Sequence, residues 1–261
     1  MARGGVLLSE REGGVLTLIL NRPDASNAID NMLRDELTRA LDAAAGNRQL
    51  RAVVITSTGE DAFSVGMDVA EIATFSPLEV ELVAVRARGI YERMAALDIP
   101  IVAAIKGACL GAGFELALHA DLRLARADAR FGLPGINVGM NAGGGALARL
   151  QRISGIGSAA ALALTGGVVT AERAFLLGLV SNVSGMQEFL GSVQQLAGHL
   201  ATLSPIAVAE TKRLLRVAAE EGIEAAAAQS PKALARCFGE GDAAERLRLL
   251  IGGRDPEATV H

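Results

Sequence analysis

Ile101–Ile105 (IVAAI) carries no polar residue, and Ala52–Thr56 (AVVIT) only a terminal threonine. Runs this short and this uniformly apolar lack the alternation of a half-solvated strand. They fit strands buried on both faces of a parallel sheet, and such a sheet needs long crossover connections, usually helical. The segments around them supply helices. Asn31–Ala45 repeats apolar residues at Met32, Leu33, Leu37, Ala40, Leu41 and Ala44, the spacing of one helix face. Ser76-Pro77-Leu78-Glu79 is a capping box with proline at the first helical position, which predicts a helix from there to about Ala96. Val15–Leu20 (VLTLIL) reads as a strand closed by the turn Asn21–Asp24, and Leu122–Ala125 as another strand.

After about Gly145 the chain becomes rich in Ala and Leu and poor in β-branched runs. Thr170-Ala171-Glu172 and Ser204-Pro205 look like helix starts, and segments 187–202, 206–220, 222–238 and 242–251 carry helical periodicity. The expected plan is an α/β core over residues 1–200 followed by a helical region over 201–261. A length of 261 residues allows a core of useful size. The mean hydropathy of +0.34 points to a large core or to apolar surface covered by other subunits.

Several chemistries are excluded or disfavoured. With 25 basic against 29 acidic residues the net charge is −4, the wrong sign for a phosphodiester groove. The two cysteines, Cys109 and Cys237, make no disulfide framework and fit a reducing compartment; Cys109 reads as a small core residue. The apolar stretch Ile101–Ala125 is broken by Lys106, Glu115, His119, Asp121 and Arg123, so it is not read as a membrane span. The N-terminus lacks a signal-type apolar region, and a cytoplasmic location is expected by default. The histidines His119, His199 and His261 have no metal-set spacing. No G-x-S-x-G elbow and no P-loop occur. Gly155-Ile156-Gly157-Ser158-Ala159-Ala160 fits G-x-G-x-x-A, but a dinucleotide site needs a strand before it, and Ala146–Ile153 looks helical. Saturable NADH binding would be the mark of that alternative.

Two segments are more informative. Ala62-Phe63-Ser64-Val65-Gly66-Met67-Asp68-Val69 follows the first apolar strand, and Gly107-Ala108-Cys109-Leu110-Gly111-Ala112-Gly113-Phe114-Glu115-Leu116 follows the second. Glycine-rich turns at the carboxyl ends of parallel strands let the backbone approach a ligand and aim N–H groups at it. Two such turns side by side can offer two donors to one oxygen, the layout of an oxyanion hole. Glu115 stands at the start of an otherwise apolar helix, where a carboxylate needs a partner or a task. The same residues also fit tight strand–helix packing with a glutamate favoured by the helix dipole. Both readings stay open on spacing alone.

At these residues the chain resembles the enoyl-CoA hydratase/isomerase (crotonase) family. Leu20-Asn21-Arg22-Pro23-Asp24-Ala25-Ser26-Asn27-Ala28 is similar to the family's N-R-P-x-x-x-N-A, and Phe63–Asp68 to its F-x-x-G-x-D. Pro100–Gly107, Gly111–Leu116, Asp121, Phe131–Arg149, Leu164-Thr165-Gly166 and Ala174–Val180 follow in the family's order. Each motif is short; their succession along nearly the whole chain carries the resemblance.

The resemblance implies a crotonase-like spiral of ββα turns with a C-terminal helical trimerisation region, assembled as a homotrimer or a hexamer built as a dimer of trimers. It implies an acyl-CoA thioester as substrate, with coenzyme A entering only as part of it and no separate cofactor or metal. The oxyanion donors would be the backbone N–H groups of Met67 and Ala112, the latter standing where the family usually has glycine. Gly66, Asp68, Val69, Ala70 and Gly111 would line the thioester and CoA, with Ala25, Ser26 and Ala28 near the nucleotide end and Leu133 and Gly135 on the acyl side. Ile72, Phe75, Leu82 and Leu133 are candidates for a tail pocket and are equally ordinary core residues.

One departure stands out. Family hydratases use two glutamates. The first aligns with Glu115; the second falls on Gly135, and no Asp or Glu occurs between Asp128 and Glu172. The nearby amides of Asn137 and Asn141 accept no proton at neutral pH. The expectation is an enzyme of the hydratase/isomerase type with Glu115 as its sole acid/base. Two others stand beside it: another reaction of the family, such as decarboxylation or thioester cleavage, and an acyl-CoA-binding protein without turnover.

Overall fold

The computed structural model describes residues 4–252; His261 lies outside them. In chain order the elements are β1 (Leu7–Glu12), β2 (Val15–Leu20), α1 (Asn31–Ala45), β3 (Ala52–Ser57), β4 (Ala62–Ser64), α2 (Val69–Ile72), α3 (Pro77–Ala96), β5 (Ile101–Ile105), β6 (Ala108–Leu110), α4 (Ala112–His119), β7 (Leu122–Arg126) and β8 (Arg130–Gly132). There follow α5 (Ala146–Thr165), β9 (Val168–Thr170), α6 (Ala171–Leu176), β10 (Asn182–Ser184), α7 (Phe189–Thr202), α8 (Pro205–Glu220), α9 (Ile223–Gly239) and α10 (Ala243–Ile251).

The strands form two sheets. One has the order β1-β2-β3-β5-β7-β10 and the other β4-β6-β8-β9. All pairs from β2 outward in the first sheet are parallel, while β1 joins β2 antiparallel. Each long strand β3, β5 and β7 is followed by a short one, β4, β6 and β8, in the second sheet, and then by helix. These are the ββα turns of the crotonase-like fold. All five residues of β5 are buried, as an unbroken apolar strand between parallel neighbours requires. Val54, Val102, Ala104 and Leu124 on one sheet face pack against Phe189, Val193 and Ala197 of α7. Each fully buried large side chain there stabilises by roughly 1.5–3 kcal/mol.

The chain forms two compact units, one of residues up to Leu97 with Ile101–Ala201, the other of Asp98–Pro100 with the residues from Thr202. In the second, α8 and α9 pack together around Glu210, 5% exposed, which pairs with Arg213 at 2.9 Å and with Arg236.

The capping box of α3 forms, Ser76 Oγ accepting from Glu79 N and Glu79 accepting from Ser76 N. Gly155 lies inside α5 at φ +78°, so the G-x-G-x-x-A segment is a kink in a helix with no strand leading into it. Cys109 is fully buried, and both cysteines are free. Among the described residues no helix is long and apolar enough to cross a membrane, and no group of three metal-binding side chains occurs.

Candidate active site

A cavity of about 270 Å³ opens within the first unit. Its walls come from α1, α3, α4, the turn after β4 and the glycine-rich segment before α5. Their polar side chains are those of Arg34, Tyr91, Glu115 and Asn141; Met67, Ala112, Gly143 and Gly144 also line the cavity.

The two turns singled out from the sequence meet at this cavity. In the first, Ile29 N donates to Gly66 O (2.7 Å) and Asp68 N donates to Ile29 O (3.2 Å), so Met67 bridges Ile29 in parallel fashion. In that pattern Met67's own N–H is directed away from Ile29. Gly66 sits at φ +107°, and a Cβ there would stand 3.1 Å from Ala112 N, so glycine is what lets the second turn lie against the first. In the second turn Gly111 N donates to Gly132 O (3.0 Å) and Glu115 N donates to Gly111 O (2.9 Å). Ala112 is the first residue of α4, and the first N–H groups of a helix lack partners within it. Among the described residues no backbone carbonyl takes the N–H of Met67 or of Ala112.

Glu115 projects from the first turn of α4 into the same cavity and is 5% exposed. Its Oε1 accepts from Gly143 N at 3.3 Å. Burial pushes its carboxyl from an ordinary 4.5 up to about 7, with the Gly143 hydrogen bond opposing the rise. A carboxyl poised there exchanges protons at neutral pH in either direction.

The turn Ala25–Ala28 is held against this framework. Ser26 and Asn27 have φ of +50° and +55°. Asn27, 1% exposed, accepts from Arg22 N (2.8 Å) and donates to Thr58 O (3.0 Å) and Ala62 O (2.9 Å). Ser26 O accepts from Val65 N, one residue before Gly66 (3.2 Å), and Ala28 O accepts from the Arg22 guanidinium (2.6 Å). Asn27→Ala takes this partner from Thr58 O and Arg22 N, while Ala62 O keeps Ser57 Oγ at 3.0 Å, and asks alanine to hold a left-handed backbone; a destabilisation of about 2–3 kcal/mol is expected in urea unfolding.

Of the other expected site residues, Ile72 borders the cavity, while Gly66 and Gly111 are outside its lining and lie against each other, a Cβ on Gly66 standing 3.3 Å from Gly111 Cα. Asp68 caps α2 through Ala70 N and Glu71 N and pairs with Arg22 at 3.0 Å; that arginine's hydrogen bond holds its carboxyl below the ordinary range. Val69 and Ala70 are exposed. Leu133 is core, 4% exposed, and Leu82 is half out in solvent at 52%; neither these two nor Phe75 border the cavity. Gly135 lies on a short 3-10 turn outside the lining, where a Cβ would stand 3.3 Å from Met140 O, and Asn137 lies against Gly166 instead. Tyr91, Arg34, Met140 and the pair Gly143-Gly144 border the cavity without having been expected there. A signal for Tyr91 was available: with Val83, Ala84, Ala87 and Ile90 it forms one helical stripe on α3.

A model of the family described as Enoyl-CoA hydratase/isomerase matches residues 10–248. The 2,3-dehydroadipyl-CoA hydratase of Escherichia coli K12 is 36% identical over 251 residues, spanning 96% of this chain and 97% of that protein. The crotonyl-CoA hydratase of Syntrophomonas wolfei is 32% identical over 258 residues, with 97% of each covered. Among solved structures, the enoyl-CoA hydratase of Mycobacterium smegmatis superposes with a TM-score of 0.93 at 31% identity, over 97% of this chain and 99% of that one.

Proposed function

This chain belongs to the enoyl-CoA hydratase/isomerase family and is an acyl-CoA enzyme of that kind, and from that premise we propose that it works on an enoyl-CoA thioester with Glu115 as its only acid/base. The observation that carries this reading is a buried carboxyl, its pKa raised to about 7, on a cavity that Met67 and Ala112 also line, with no backbone carbonyl among the described residues taking the N–H of either.

The thioester oxygen accepts from both amides. Glu115, as carboxylate, takes a proton from water while the water oxygen bonds to the β carbon. The double-bond electrons pass to the thioester oxygen as an enolate, which the two donors stabilise as its charge grows. Glu115, now the acid, returns the proton to the α carbon, so that one H and one OH have been added. Without water, the same carboxyl moves a proton between the α and γ carbons. The CoA portion lies along Met67–Ala70, with Ala25, Ser26 and Ala28 toward its nucleotide end. Assembly as a homotrimer or hexamer belongs to the same proposal, favoured by exposed apolar residues of the second unit such as Leu215, Leu234, Phe238 and Ile251.

A single essential carboxylate gives a one-limbed pH profile. With crotonyl-CoA, kcat/KM followed by loss of the enoyl-thioester absorbance is expected to rise about tenfold per pH unit well below pH 7 and to level off above it. A profile that instead falls above neutrality places the essential proton on Glu115 from the outset and contradicts the scheme.

A further inference from the structure

A buried phenol needs a partner for its O–H. Tyr91, the only tyrosine of the chain, is 5% exposed, and its hydroxyl has no hydrogen-bond partner among the described residues. Its ring, nevertheless, is tightly held. It stacks on His119 with centroids 4.1 Å apart and planes within 6°. On another edge Gly144 approaches so closely that a Cβ there would stand 2.4 Å from Tyr91 Cε2 and 3.5 Å from Glu115 Oε2. Tyrosine ring and catalytic carboxyl therefore border the same space above Gly144. His119 is fixed in turn, its Nδ1–H donating to Glu115 O at 2.8 Å; burial lowers its pKa to about 4, so the imidazole is neutral at neutral pH. One turn of α4 thus sets both Glu115 and the platform under Tyr91.

Of the remaining polar side chains on the cavity wall, Arg34 is engaged through its Nη atoms by Ile29 O (2.9 Å), Asn31 Oδ1 (3.0 Å) and Glu71 Oε2 (2.7 Å), its Nε is unpartnered among the described residues but fully buried, and Asn141 lies exposed at the margin. A rigid phenol whose donor is unused beside a lone carboxyl fits a second contact to the water. We infer that Tyr91 is a catalytic residue for hydration, its hydroxyl donating to the oxygen of the water that Glu115 deprotonates. One lone pair of the water oxygen then accepts from Tyr91, one hydrogen goes to Glu115, and the other lone pair faces the β carbon. This inference rests on the hydration scheme above and gives the water the second contact that Gly135 lacks a side chain to make.

Tyr91→Phe keeps the ring and the stack. Two rates separate the roles. Exchange of the α hydrogens of butyryl-CoA in D2O needs Glu115 and the two amides but no attacking water; hydration of crotonyl-CoA needs all of them. The variant is expected to lose about 10- to 100-fold in kcat for hydration with an unchanged KM, while α exchange stays within about threefold of the parent. Unchanged hydration overturns the inference. An equal fall in both rates also overturns it, because Tyr91 would then act by holding Glu115. A parent protein that exchanges but does not hydrate removes the water role while leaving the enolate scheme standing; one that does neither overturns the proposed function itself.

Discussion

Glu115→Gln is expected to lower turnover of crotonyl-CoA by about 10²–10⁴-fold, the usual worth of a general acid–base step, and to leave the dissociation constant of a non-reacting acyl-CoA within about threefold. The substitution keeps shape and hydrogen bonding: an amide oxygen still accepts from Gly143 N, which now reaches Glu115 Oε1 at 3.3 Å. What disappears is the proton. The same variant is expected to be more stable than the parent at pH 8. In the folded protein the Glu115 pKa is raised from 4.5 to about 7, so the folded state holds this proton more tightly than the unfolded chain. The associated stability is fully present below about pH 4.5 and is lost as pH rises through about 7. Two to three pKa units correspond to about 3 kcal/mol. Glutamine carries no such dependence, so the urea midpoints of parent and variant should converge near pH 4.5 and diverge by pH 8. Undiminished turnover in the glutamine variant would remove Glu115 from the chemistry; a stability difference that does not change with pH would remove the buried, raised carboxyl.

Much of this framework was legible because local signals and burial point the same way. Asn31–Ala45 has a periodic apolar face, and the start of Pro77–Ala96 carries Ser76 and Glu79, whose side chains form the capping box. The uninterrupted apolar run of β5 leaves little but a buried strand. The short strands β4, β6, β8, β9 and β10 have three residues each, too few for a period to declare itself, and exist because neighbouring segments align them. β1 escaped notice for another reason: Leu7–Glu12 reads LLSERE and is largely solvated, and its pairing with β2 supplies what composition does not.

The site divides along similar lines. Glu115, Met67 and Ala112 stood out in the sequence, because glycine-bearing turns after buried strands have a limited set of uses and a glutamate on an apolar helix is unusual, and the structure brings all three to one cavity. Tyr91 did not stand out, since one aromatic on a helix is ordinary core. Its significance comes from Gly144, some fifty residues on in sequence, and from His119 on another helix. Leu133 and Leu82 show the converse: an apolar residue near a motif is no evidence of a pocket wall, and the fold sends one into the core and the other to solvent.

The proposed oxyanion donors are backbone atoms, which side-chain exchange ordinarily leaves in place, yet one of them stands where proline can delete it. Ala112 is the first residue of α4, the helical position at which proline is best tolerated, because its fixed φ suits the helix and its missing N–H has no helical partner to lose. Among the described residues no backbone carbonyl takes this N–H, so Ala112→Pro breaks no observed hydrogen bond. The residue before a proline avoids the right-handed helical region, and Gly111, at φ +49° and ψ −127°, is already far from it. The variant is therefore expected to fold with a melting temperature close to the parent's. It also lacks the proposed donor and carries a ring carbon in place of that hydrogen. Loss of one such donor costs about 10²–10³-fold in kcat in other enzymes, and the ring's bulk adds to that. The expected result is a fall of at least about 100-fold in crotonyl-CoA turnover together with a comparable fall in α exchange of butyryl-CoA, since both pass through the enolate. The contrast with Tyr91→Phe, which should spare exchange, is internal to the scheme. A folded Ala112→Pro protein that retains both rates would show that the thioester oxygen is held elsewhere, and the two-amide reading would fall whatever Glu115 does.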